Sequence, residues 1–411
     1  MKKTLWGLLL AVCLLMCGCG AEEVQETTAP LIEVEVPYEE TESALLYAGV
    51  ELTFRSIWTR EDPCARVLSE AAALFQRQTG AVVEILWPES YGTEQTEPSR
   101  ADMFQLRTAD FAATPAENLL DLTEMAEKAG YAQMSHEVLR QQIVQRCGYL
   151  GAVAQVPYLG GVYYSTDVFE TSGIQKVPQT WDEFLAVCQV LRDGGWQPLT
   201  LDHEDALAAM ELHLRRSIGK EEIQRMMSKN GHWHTDLPAI AAFEQVHLFV
   251  QEGNMATGTP ADRPTGQNKI ATSNSAMMIG TNADCADIEE ATLTDLNWGM
   301  FPYPGSTGSG TYMDADMIAI GADCENPQAA FDFLMLLVTG EFDQLLADLS
   351  AGVPAAPRNA SPIAGAMETL ETMQPEPLQY FGKKQMDVAV KLWTGWYRNA
   401  AQYASLLERS K

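Results

Sequence analysis

Histidines are the residues of this chain whose type most readily suggests metal chemistry. His232 and His234 flank Trp233, while His203 and His213 stand on either side of an acidic segment. A protein metal site needs three or four converging ligands, and the usual zinc motifs have spacings that these histidines do not show. The sequence therefore predicts no metal site and no cofactor.

A glycine-rich run and many carboxylates are the other features that could do chemistry. Gly305 to Gly310 has neither the spacing of a P-loop nor a following lysine, so we interpret it as turns. The chain also contains 56 Asp and Glu residues and 9 Trp. Glycoside hydrolysis needs two carboxylates about 5 to 9 Å apart across one bond. No local motif favours such a pair, and hydrolysis stays an alternative.

The amino terminus has the features of an export signal. Two lysines precede an apolar run from Leu5 to Met16, and the small Gly18 precedes Cys19. The run is shorter than the roughly 20 apolar residues that span a bilayer, and the combination is typical of a bacterial lipoprotein signal. We predict a signal peptide over residues 1–18, a lipid on Cys19 and a location outside the cytoplasmic membrane. A plain secretory signal is the alternative.

Composition limits the partners and the number of domains. The net charge is −29, which makes nucleic acid and anionic lipid poor partners. With 46% hydrophobic residues the chain can bury large cores and should form about two domains.

Residues 19–47 are rich in Glu, Thr, Pro and Val and predict an acidic flexible linker. The cysteines beyond Cys19 show no paired spacing, so we expect no disulfide framework, although one pair could bridge.

Strands and helices alternate along the rest of the chain. Val50 to Phe54 reads as a strand, Asp62 and Pro63 as a helix start, Gly80 as its end and Ala81 to Trp87 as a second strand. Such a strand-helix-strand unit begins a parallel sheet that is covered by helices.

The same pattern recurs downstream. Thr180 and Glu183 form a capping box at the start of a helix, Met317 to Ile320 reads as a strand, and Asn326-Pro327 opens another helix that we expect to end at Gly340. The fold class is therefore α/β.

Several of these segments, taken in order, resemble the extracellular solute-binding proteins of ABC transporters, in the carbohydrate-binding, maltose-binding-protein-like family. The resemblance covers roughly residues 50 to 355 and becomes loose in the tail beyond Pro354. Its blocks are Val50 to Trp87, Ala101 to Gln105 with Leu119 to Leu122, Gln155 to Phe169, Thr180 to Phe184, Ala276 to Gly280, Asn326 to Ala330 and Gly352 to Pro354.

The resemblance implies a two-lobed periplasmic-binding-protein-like fold, in which each lobe is a sheet flanked by helices and the ligand cleft lies between the lobes. It places the crossings between lobes near Pro157 to Gly161, Phe301 to Pro304 and Gly352 to Ala355, and the Gly305 to Gly310 loop in the first lobe. The implied lobes are residues 48–157 with 304–352 for the N-terminal lobe, and 158–303 with 353–411 for the C-terminal lobe.

Sugar recognition needs flat apolar faces and planar polar groups that bind pairs of hydroxyls. Trp58 follows the first strand and suits the first need, while Arg60 and Glu61 on the same loop suit the second. Asp110 comes after the strand near Met103, at a position similar to ligand-binding carboxylates of the family, with Arg107 as a weaker candidate beside it.

The remaining candidates lie near the expected crossings. Relatives often carry a stacking Trp shortly after the position of Gly280, whereas this chain has Asn282 and Asp284. That departure suggests a smaller or more polar ligand, or a ring supplied by Trp233 or Trp298. The other predicted contacts are Tyr158 at the first crossing, and Tyr312 and Asp314 after the glycine run.

The resemblance implies a monomeric, lipid-anchored receptor that binds a sugar or oligosaccharide and delivers it to the permease subunits of an ABC importer. It implies no enzyme activity and no nucleic-acid partner. Two alternatives stay open: the same fold with a polyamine, a peptide or ferric ion as ligand, and a secreted glycoside hydrolase.

Overall fold

Two long strands lie side by side in the middle of the sheet in the computed structural model, β4 (Val153–Ser165) and β8 (Tyr312–Ile320). They pair in antiparallel fashion along β4 as far as Gly160. From that point β4 pairs instead with β6 (Ser275–Thr281) and β7 (Trp298–Phe301). β4 therefore belongs to two halves of one sheet.

Parallel pairs extend the sheet on both sides. In one half, β1 (Glu51–Arg55) lies between β2 (Val82–Leu86) and β3 (Met103–Leu106). In the other half, β5 (Gln197–Leu201) pairs in parallel with β6. The strand order is β2-β1-β3-β8-β4-β6-β5, with β7 also on β4. The predicted α/β class is confirmed.

The structure describes residues 45–90, 101–260, 270, 275–292 and 296–411, and Leu45 to Lys411 form one compact unit. The predicted signal peptide and Cys19 lie outside the described residues. Within these ranges, no helix is long and apolar enough to cross a membrane. No disulfide joins any two cysteines of the described part, which are Cys64, Cys147, Cys188, Cys285 and Cys324.

Helices cover both halves of the sheet. In the described residues they are α1 (Pro63–Thr79), α2 (Thr108–Ala113), α3 (Thr123–Ala129), α4 (Glu137–Cys147), α5 (Thr166–Thr171), α6 (Trp181–Asp193), α7 (Ala206–Ile218), α8 (Lys220–Met227), α9 (Leu237–Gln251), α10 (Asn282–Thr292), α11 (Pro327–Val338), α12 (Gly340–Leu346), α13 (Ala366–Thr372), α14 (Met386–Trp393) and α15 (Ala400–Arg409).

Local capping signals account for several helix boundaries. The Asp62 carboxylate accepts a hydrogen bond from the Cys64 N–H at 2.8 Å, and Gly80 ends α1 with φ 82°. The predicted capping box is present, because the Thr180 hydroxyl accepts from the Glu183 N–H and the Glu183 carboxylate accepts from the Thr180 N–H. One boundary differs: α11 ends at Val338, and Gly340 begins the next helix.

Buried apolar side chains form two large cores. The first packs α1 and α11 against β1 and β3, and it includes Val156 of β4. The second packs α6, α7, α9, α14 and α15 together and includes Val162 of β4. A smaller cluster includes Ala154, Leu159 and Tyr163 of β4 together with Met313 and Ala315 of β8. The two cores give the two-lobed architecture that the resemblance implied.

The second crossing lies elsewhere than we expected. Phe301 and Tyr303 both pack in the second core, and so does Tyr312, whereas Met317 packs in the first. The chain therefore returns to the first core along β8. It does not cross near Phe301 to Pro304, because the pairing of β7 with β4 keeps that segment in the second half of the sheet.

The glycine-rich loop is also placed differently from our expectation. The Arg216 guanidinium of α7 donates to the carbonyl oxygens of Tyr303 at 3.0 Å and Thr307 at 2.7 Å. It also donates to the carbonyl oxygens of Gly305 and Gly308. These bonds hold Gly305 to Gly310 against α7, which packs in the second core.

The fold begins slightly before the predicted end of the linker. The Tyr47 N–H donates to the Thr79 carbonyl at 2.7 Å, and the Tyr47 ring packs near Phe75. Tyr47 therefore belongs to the first core. The exact lobe boundaries stay predictions.

Candidate ligand-binding cleft

A cavity of about 290 Å³ opens beside the parts of β4 and β8 that run between the two cores, and α7 of the second core forms part of its lining. Its lining comes from β4, β6, β8, α7, the loop after β5 and the segment Leu378 to Phe381. The carboxyl ends of the parallel strands β5 and β6 point to it, which is where open α/β sheets bind ligands. The lining residues are Tyr158, Glu204, Asp205, Leu207, Ala208, Glu211, Thr281, Tyr312, Asp314, Leu378 and Phe381.

The first side of the cavity, the strand wall, consists of Tyr158, Tyr312 and Asp314. Tyr158 lies opposite Asp314 in the β4–β8 register, and Tyr312 lies two residues along β8 on the same face. All three were predicted as ligand contacts, and the structure brings them together.

Polar groups behind the strand wall fix its orientation. The Tyr158 hydroxyl donates to the Asp316 carboxylate at 2.7 Å, and the Thr108 hydroxyl donates to Asp314. Asp316 is only 5% exposed, and burial raises its pKa to about 7 although Tyr158 and Arg107 lower it. Burial likewise raises the pKa of the Asp314 carboxyl.

Arg107 and Asp110 lie close to this group without lining the cavity. Both interact electrostatically with Asp316, and Asp110 also interacts with Arg55. Burial lowers the pKa of the Arg55 guanidinium, and the charge of Asp110 partly offsets this effect. Arg107 and Asp110 therefore lie near Asp316, behind the strand wall, and contribute to its electrostatics.

The opposite side, the helix wall, consists of Leu207, Ala208 and Glu211 of α7 with Leu378 and Phe381. Glu211 is 1% exposed and pairs with Arg215, one turn later on α7. Its carboxylate also accepts from the backbone N–H groups of Gln379, Tyr380 and Phe381 at 3.0, 3.2 and 3.3 Å. Glu211 thus ties the C-terminal segment to the cavity.

The third side is the acidic loop, Asp202 to Asp205, which follows β5 directly. Glu204 is exposed and Asp205 is buried, and both line the cavity. Asp202, Asp205 and Asp284 each place a carboxylate oxygen within 4.8 Å of the others. Carboxylates at this separation could ligate a cation, but we assign no metal site from proximity alone.

The histidines on either side of Trp233 form a second group of this kind. His232 and His234 converge with Glu408 at the surface, and each imidazole lies within 4 Å of that carboxylate. The two histidines are exposed, Glu408 is partly buried, and none of the three lines the cavity.

Asn282 and Asp284 turn inward and contact the backbone. The Asn282 amide accepts from the Leu159 N–H at 2.7 Å and donates to the Pro157 carbonyl at 3.1 Å. Asp284 accepts from the Thr281 N–H at 2.6 Å. Both side chains are at most 2% exposed, and neither lines the cavity.

The three tryptophans considered as stacking platforms are all buried. Trp58 is 4% exposed in the first core, and Trp233 is fully buried in the second. Trp298 is 6% exposed and donates to Glu289 at 2.8 Å. The aromatic faces at the cavity come instead from Tyr158, Tyr312 and Phe381.

Arg60 and Glu61 are exposed on the loop after β1. The Arg60 guanidinium lies 5.9 Å from the centre of the Trp87 ring. Arg60 and Trp87 line a separate surface cavity of about 410 Å³. Another surface cavity, of about 380 Å³, lies beside Arg216 and Trp181. We favour the smaller cavity as the ligand site because the strands that connect the two cores, β4 and β8, line it together with the carboxyl end of β6 and the loop after β5.

Sequence reasoning missed Glu204, Asp205 and Phe381. The acidic loop follows β5 as Asp110 follows β3, so the rule that identified Asp110 could have found it. Phe381 gave no such signal, because it lies in the tail where the family resemblance is loose.

Comparisons with known proteins agree with this architecture. The sequence profile of the bacterial extracellular solute-binding proteins matches residues 70–370. Among curated proteins, no sequence matches.

Solved structures share the fold over most of the chain. RafE from Streptococcus pneumoniae in its apo form has a TM-score of 0.70 at 16% identity, over 88% of this chain and 96% of that one. A sugar transporter protein from Bacillus licheniformis in complex with stachyose has a TM-score of 0.60 at 16% identity, over 88% and 98%. Maltose-bound MalE3 of T. maritima has a TM-score of 0.62 at 17% identity, over 88% and 98%.

These identities establish a shared fold, and the profile match covers well over half of the chain. The predicted family resemblance is confirmed: the chain belongs to the bacterial extracellular solute-binding proteins.

Proposed function

We propose that this protein is a receptor that captures a saccharide in the cleft between its two lobes and delivers it to an ABC importer. The observation that carries the proposal is the lining of the cavity, in which aromatic faces from both sides stand beside carboxylates. Aromatic rings pack against the apolar faces of sugars, and carboxylates accept from their hydroxyls. Structural neighbours have been solved with raffinose, stachyose and maltose, which supports this ligand class.

Capture would involve closure of the lobes. β4 and β8 connect the two cores, and the predicted third crossing near Gly352 to Ala355 would accompany them. Hinge closure over a bound solute is a common motion of two-lobed proteins. Tyr158 and Tyr312 lie on these connecting strands, so a bound ring would contact the residues that flank the hinge.

The receptor would act without chemistry of its own. Family membership supports a solute-binding role, and we infer that the protein returns its ligand unaltered to membrane-embedded permease subunits. Incubation with the bound saccharide, followed by chromatography of the sugar, tests this point. Recovery of intact sugar is expected, and its hydrolysis would show an enzyme.

We also propose that a lipid on Cys19 and the segment to residue 47 hold a monomeric receptor near its permease. Tethering raises the effective concentration of the receptor at the membrane. Labelling cells with a fatty-acid analogue should mark the wild-type protein and not a Cys19→Ser variant, which should instead appear in the medium or periplasm. Equal labelling of both would contradict the anchor.

Direct binding measurements test the receptor proposal. Calorimetric titration with raffinose, stachyose, maltose and their monosaccharides should show at least one saturable ligand. Thermal unfolding should shift with the same ligand, because binding at 100 times Kd stabilises the folded state by about 2.7 kcal/mol.

A matched pair of variants locates the site. Phe381→Ala removes an apolar face of the cavity and should weaken saccharide binding about tenfold. Trp396→Ala removes an aromatic ring that is 70% exposed and outside the cavity, and should leave the affinity unchanged. Equal affinity of both variants and wild type, with melting curves showing folded protein, would place the site elsewhere.

A further inference from the structure

Two histidines and a carboxylate converge on the surface of the second core, outside the ligand cleft. His232 and His234 belong to the turn after α8, and Glu408 lies near the end of α15. Each contributes one nitrogen or oxygen atom that lies within 4.8 Å of the other two. The sequence predicted no metal site here because a site needs three or four ligands, and the third, Glu408, follows Trp233 by 175 residues. We call these three residues the His–Glu cluster.

The fold of the turn directs both histidines outward. Trp233, the residue between them, is fully buried in the second core. The His232 backbone is extended, with φ −137° and ψ 96°, and Trp233 begins a single turn of 3-10 helix. The imidazoles of His232 and His234 are instead 58% and 46% exposed. The buried Trp233 ring therefore anchors the backbone that presents both imidazoles at the surface.

The Glu408 carboxylate is oriented by its own hydrogen bonds. It accepts from the Trp233 N–H at 2.8 Å, and α15 packs in the second core. Protein metal sites commonly orient their ligands by outer hydrogen bonds of this kind. The Lys411 ammonium also contacts the carboxylate, at 3.2 Å. That ammonium donates to the Gly231 carbonyl at 2.6 Å as well, so it keeps a partner when the carboxylate binds another cation.

The distances within the His–Glu cluster suit a transition-metal ion. The His232 Nδ1 lies 3.6 Å from one Glu408 oxygen, and the His234 Nδ1 lies 3.9 Å from the other. Ligand atoms around a tetrahedral zinc ion, with bonds of about 2.0 to 2.1 Å, are roughly 3.4 Å apart. The observed separations exceed this value by a few tenths of an ångström. Rotation of the exposed side chains can close that difference without movement of the backbone.

The chemistry of the cluster favours a metal ion over a simple ion pair. Three basic groups, His232, His234 and Lys411, contact the single Glu408 carboxylate, and the two imidazole ring centres are 5.8 Å apart. One carboxylate cannot neutralise three cations, whereas neutral imidazoles do not repel each other. Neutral imidazole is a common ligand of zinc, while magnesium and calcium prefer oxygen ligands. Two imidazoles and one carboxylate are an established ligand set of zinc.

We infer that the His–Glu cluster is a zinc site that fastens α15 to the turn after α8. The three ligands come from two segments that only the folded chain brings together. A zinc ion would therefore bind the folded state and stabilise the second core. None of the three residues lines the ligand cavity, so the inference goes beyond the saccharide receptor and does not depend on it.

Titration calorimetry with zinc, magnesium and calcium salts tests the site. The protein should be purified without a histidine tag and freed of metal with EDTA. One zinc ion per chain should bind, and magnesium and calcium should bind at least about tenfold more weakly. An anomalous-scattering map of a zinc-soaked crystal should show a peak among His232, His234 and Glu408.

Single substitutions assign the zinc ion to its ligands. His232→Ala, His234→Ala and Glu408→Gln should each weaken zinc binding at least tenfold, because loss of an outer hydrogen-bond partner alone commonly costs about 10- to 100-fold. Both histidines are exposed, so their variants should fold as the wild type does. Asn230→Ala changes an exposed side chain of the same turn and should keep the wild-type zinc affinity.

Thermal unfolding tests the fastening of α15. Saturating zinc should raise the melting temperature of the wild type and of Asn230→Ala, because the ion binds the folded state alone. The same zinc concentration should leave the melting temperatures of His232→Ala and His234→Ala unchanged. Saccharide affinity should be equal in all four proteins, because the substituted residues lie outside the cavity lining.

Four outcomes would contradict the inference. Absence of saturable zinc binding would overturn it. Equal zinc affinity of the wild type and the three ligand variants would place the ion at another site. Magnesium or calcium binding as tight as zinc binding would indicate carboxylate ligands alone. Zinc that binds at the cluster without raising the melting temperature would overturn the fastening of α15. Each of these results would leave the saccharide receptor proposal intact.

Discussion

The two walls of the cleft differ in how the chain builds them. The strand wall consists of positions that face each other in a sheet register, such as Tyr158 opposite Asp314. The helix wall joins Glu211 to Phe381, residues 170 positions apart, through one carboxylate. The position of the strand wall is held by the many backbone hydrogen bonds of the β4–β8 pair. The helix wall depends on a single buried ion pair, so one substitution there should do the most damage.

The largest effect is expected for Glu211→Ala. The change leaves the 2% exposed Arg215 side chain without its carboxylate and removes the acceptor of three backbone N–H groups. Breaking a buried ion pair from one side costs about 3 to 5 kcal/mol. Urea unfolding should show this loss, together with weaker ligand binding.

A surface pair provides the control for Glu211→Ala. Glu222 pairs with the half-exposed Arg225 on α8, and Glu222→Ala should cost less than about 1 kcal/mol. Similar losses in the two variants would mean that the helix wall does not depend on Glu211.

A smaller effect is expected where α10 meets the strand wall. Asn282→Ala removes both hydrogen bonds to the β4 backbone at Leu159 and Pro157 and leaves these groups buried. We expect a loss of about 2 kcal/mol in the free energy of unfolding. Asn297→Ala, at an exposed side chain bonded to Asp167, should cost under about 0.5 kcal/mol. An affinity loss in Asn282→Ala without a stability loss would restore Asn282 as a direct ligand contact.

The strand wall should also respond to pH. Because the folded pKa of Asp316 is raised to about 7, the folded state holds this proton at pH values where the unfolded carboxyl, with a pKa of about 3.9, has lost it. Stability from this group is present below about pH 4 and is lost as pH rises towards 7. Asp316→Asn should therefore flatten the fall in unfolding free energy over this range. An unchanged pH profile would contradict the shifted pKa.

The smallest effect on binding is expected for Trp58→Phe. Trp58 was the leading stacking candidate, yet it packs in the first core at 4% exposure and lies outside the cavity lining. The variant should lose about 1 kcal/mol of stability from imperfect packing and keep its affinity for saccharide. Weakened binding by a stably folded Trp58→Phe protein would return the β1–α1 loop to the site.

The helix caps, the cavity residues and Trp58 show which features of the structure could be predicted from the sequence. Helix caps such as Asp62 and the Thr180–Glu183 box were predictable because they are local interactions within a few residues. The meeting of Tyr158, Tyr312 and Asp314 at one cavity was predictable because they lie on segments that the family resemblance placed near a crossing. The burial of Trp58 was not predictable, because its surroundings depend on α1 and on the first core, which sequence spacing alone does not show.

The helix wall lay beyond sequence reasoning for a related reason. In the sequence, Glu211 is one of 56 Asp and Glu residues with nothing to distinguish it. Its role is visible only in the fold, where the C-terminal tail packs against α7 and donates to its carboxylate. The second crossing was misplaced because β7 returns to β4 before the chain leaves the second core.

A crystal structure of the protein with its tightest-binding saccharide tests the central claim most directly. We predict electron density for the sugar between Tyr158 and Phe381, with its polar groups against Glu204 and Asp205. Density in the separate cavity beside Arg60 and Trp87 would contradict the assignment of the cleft.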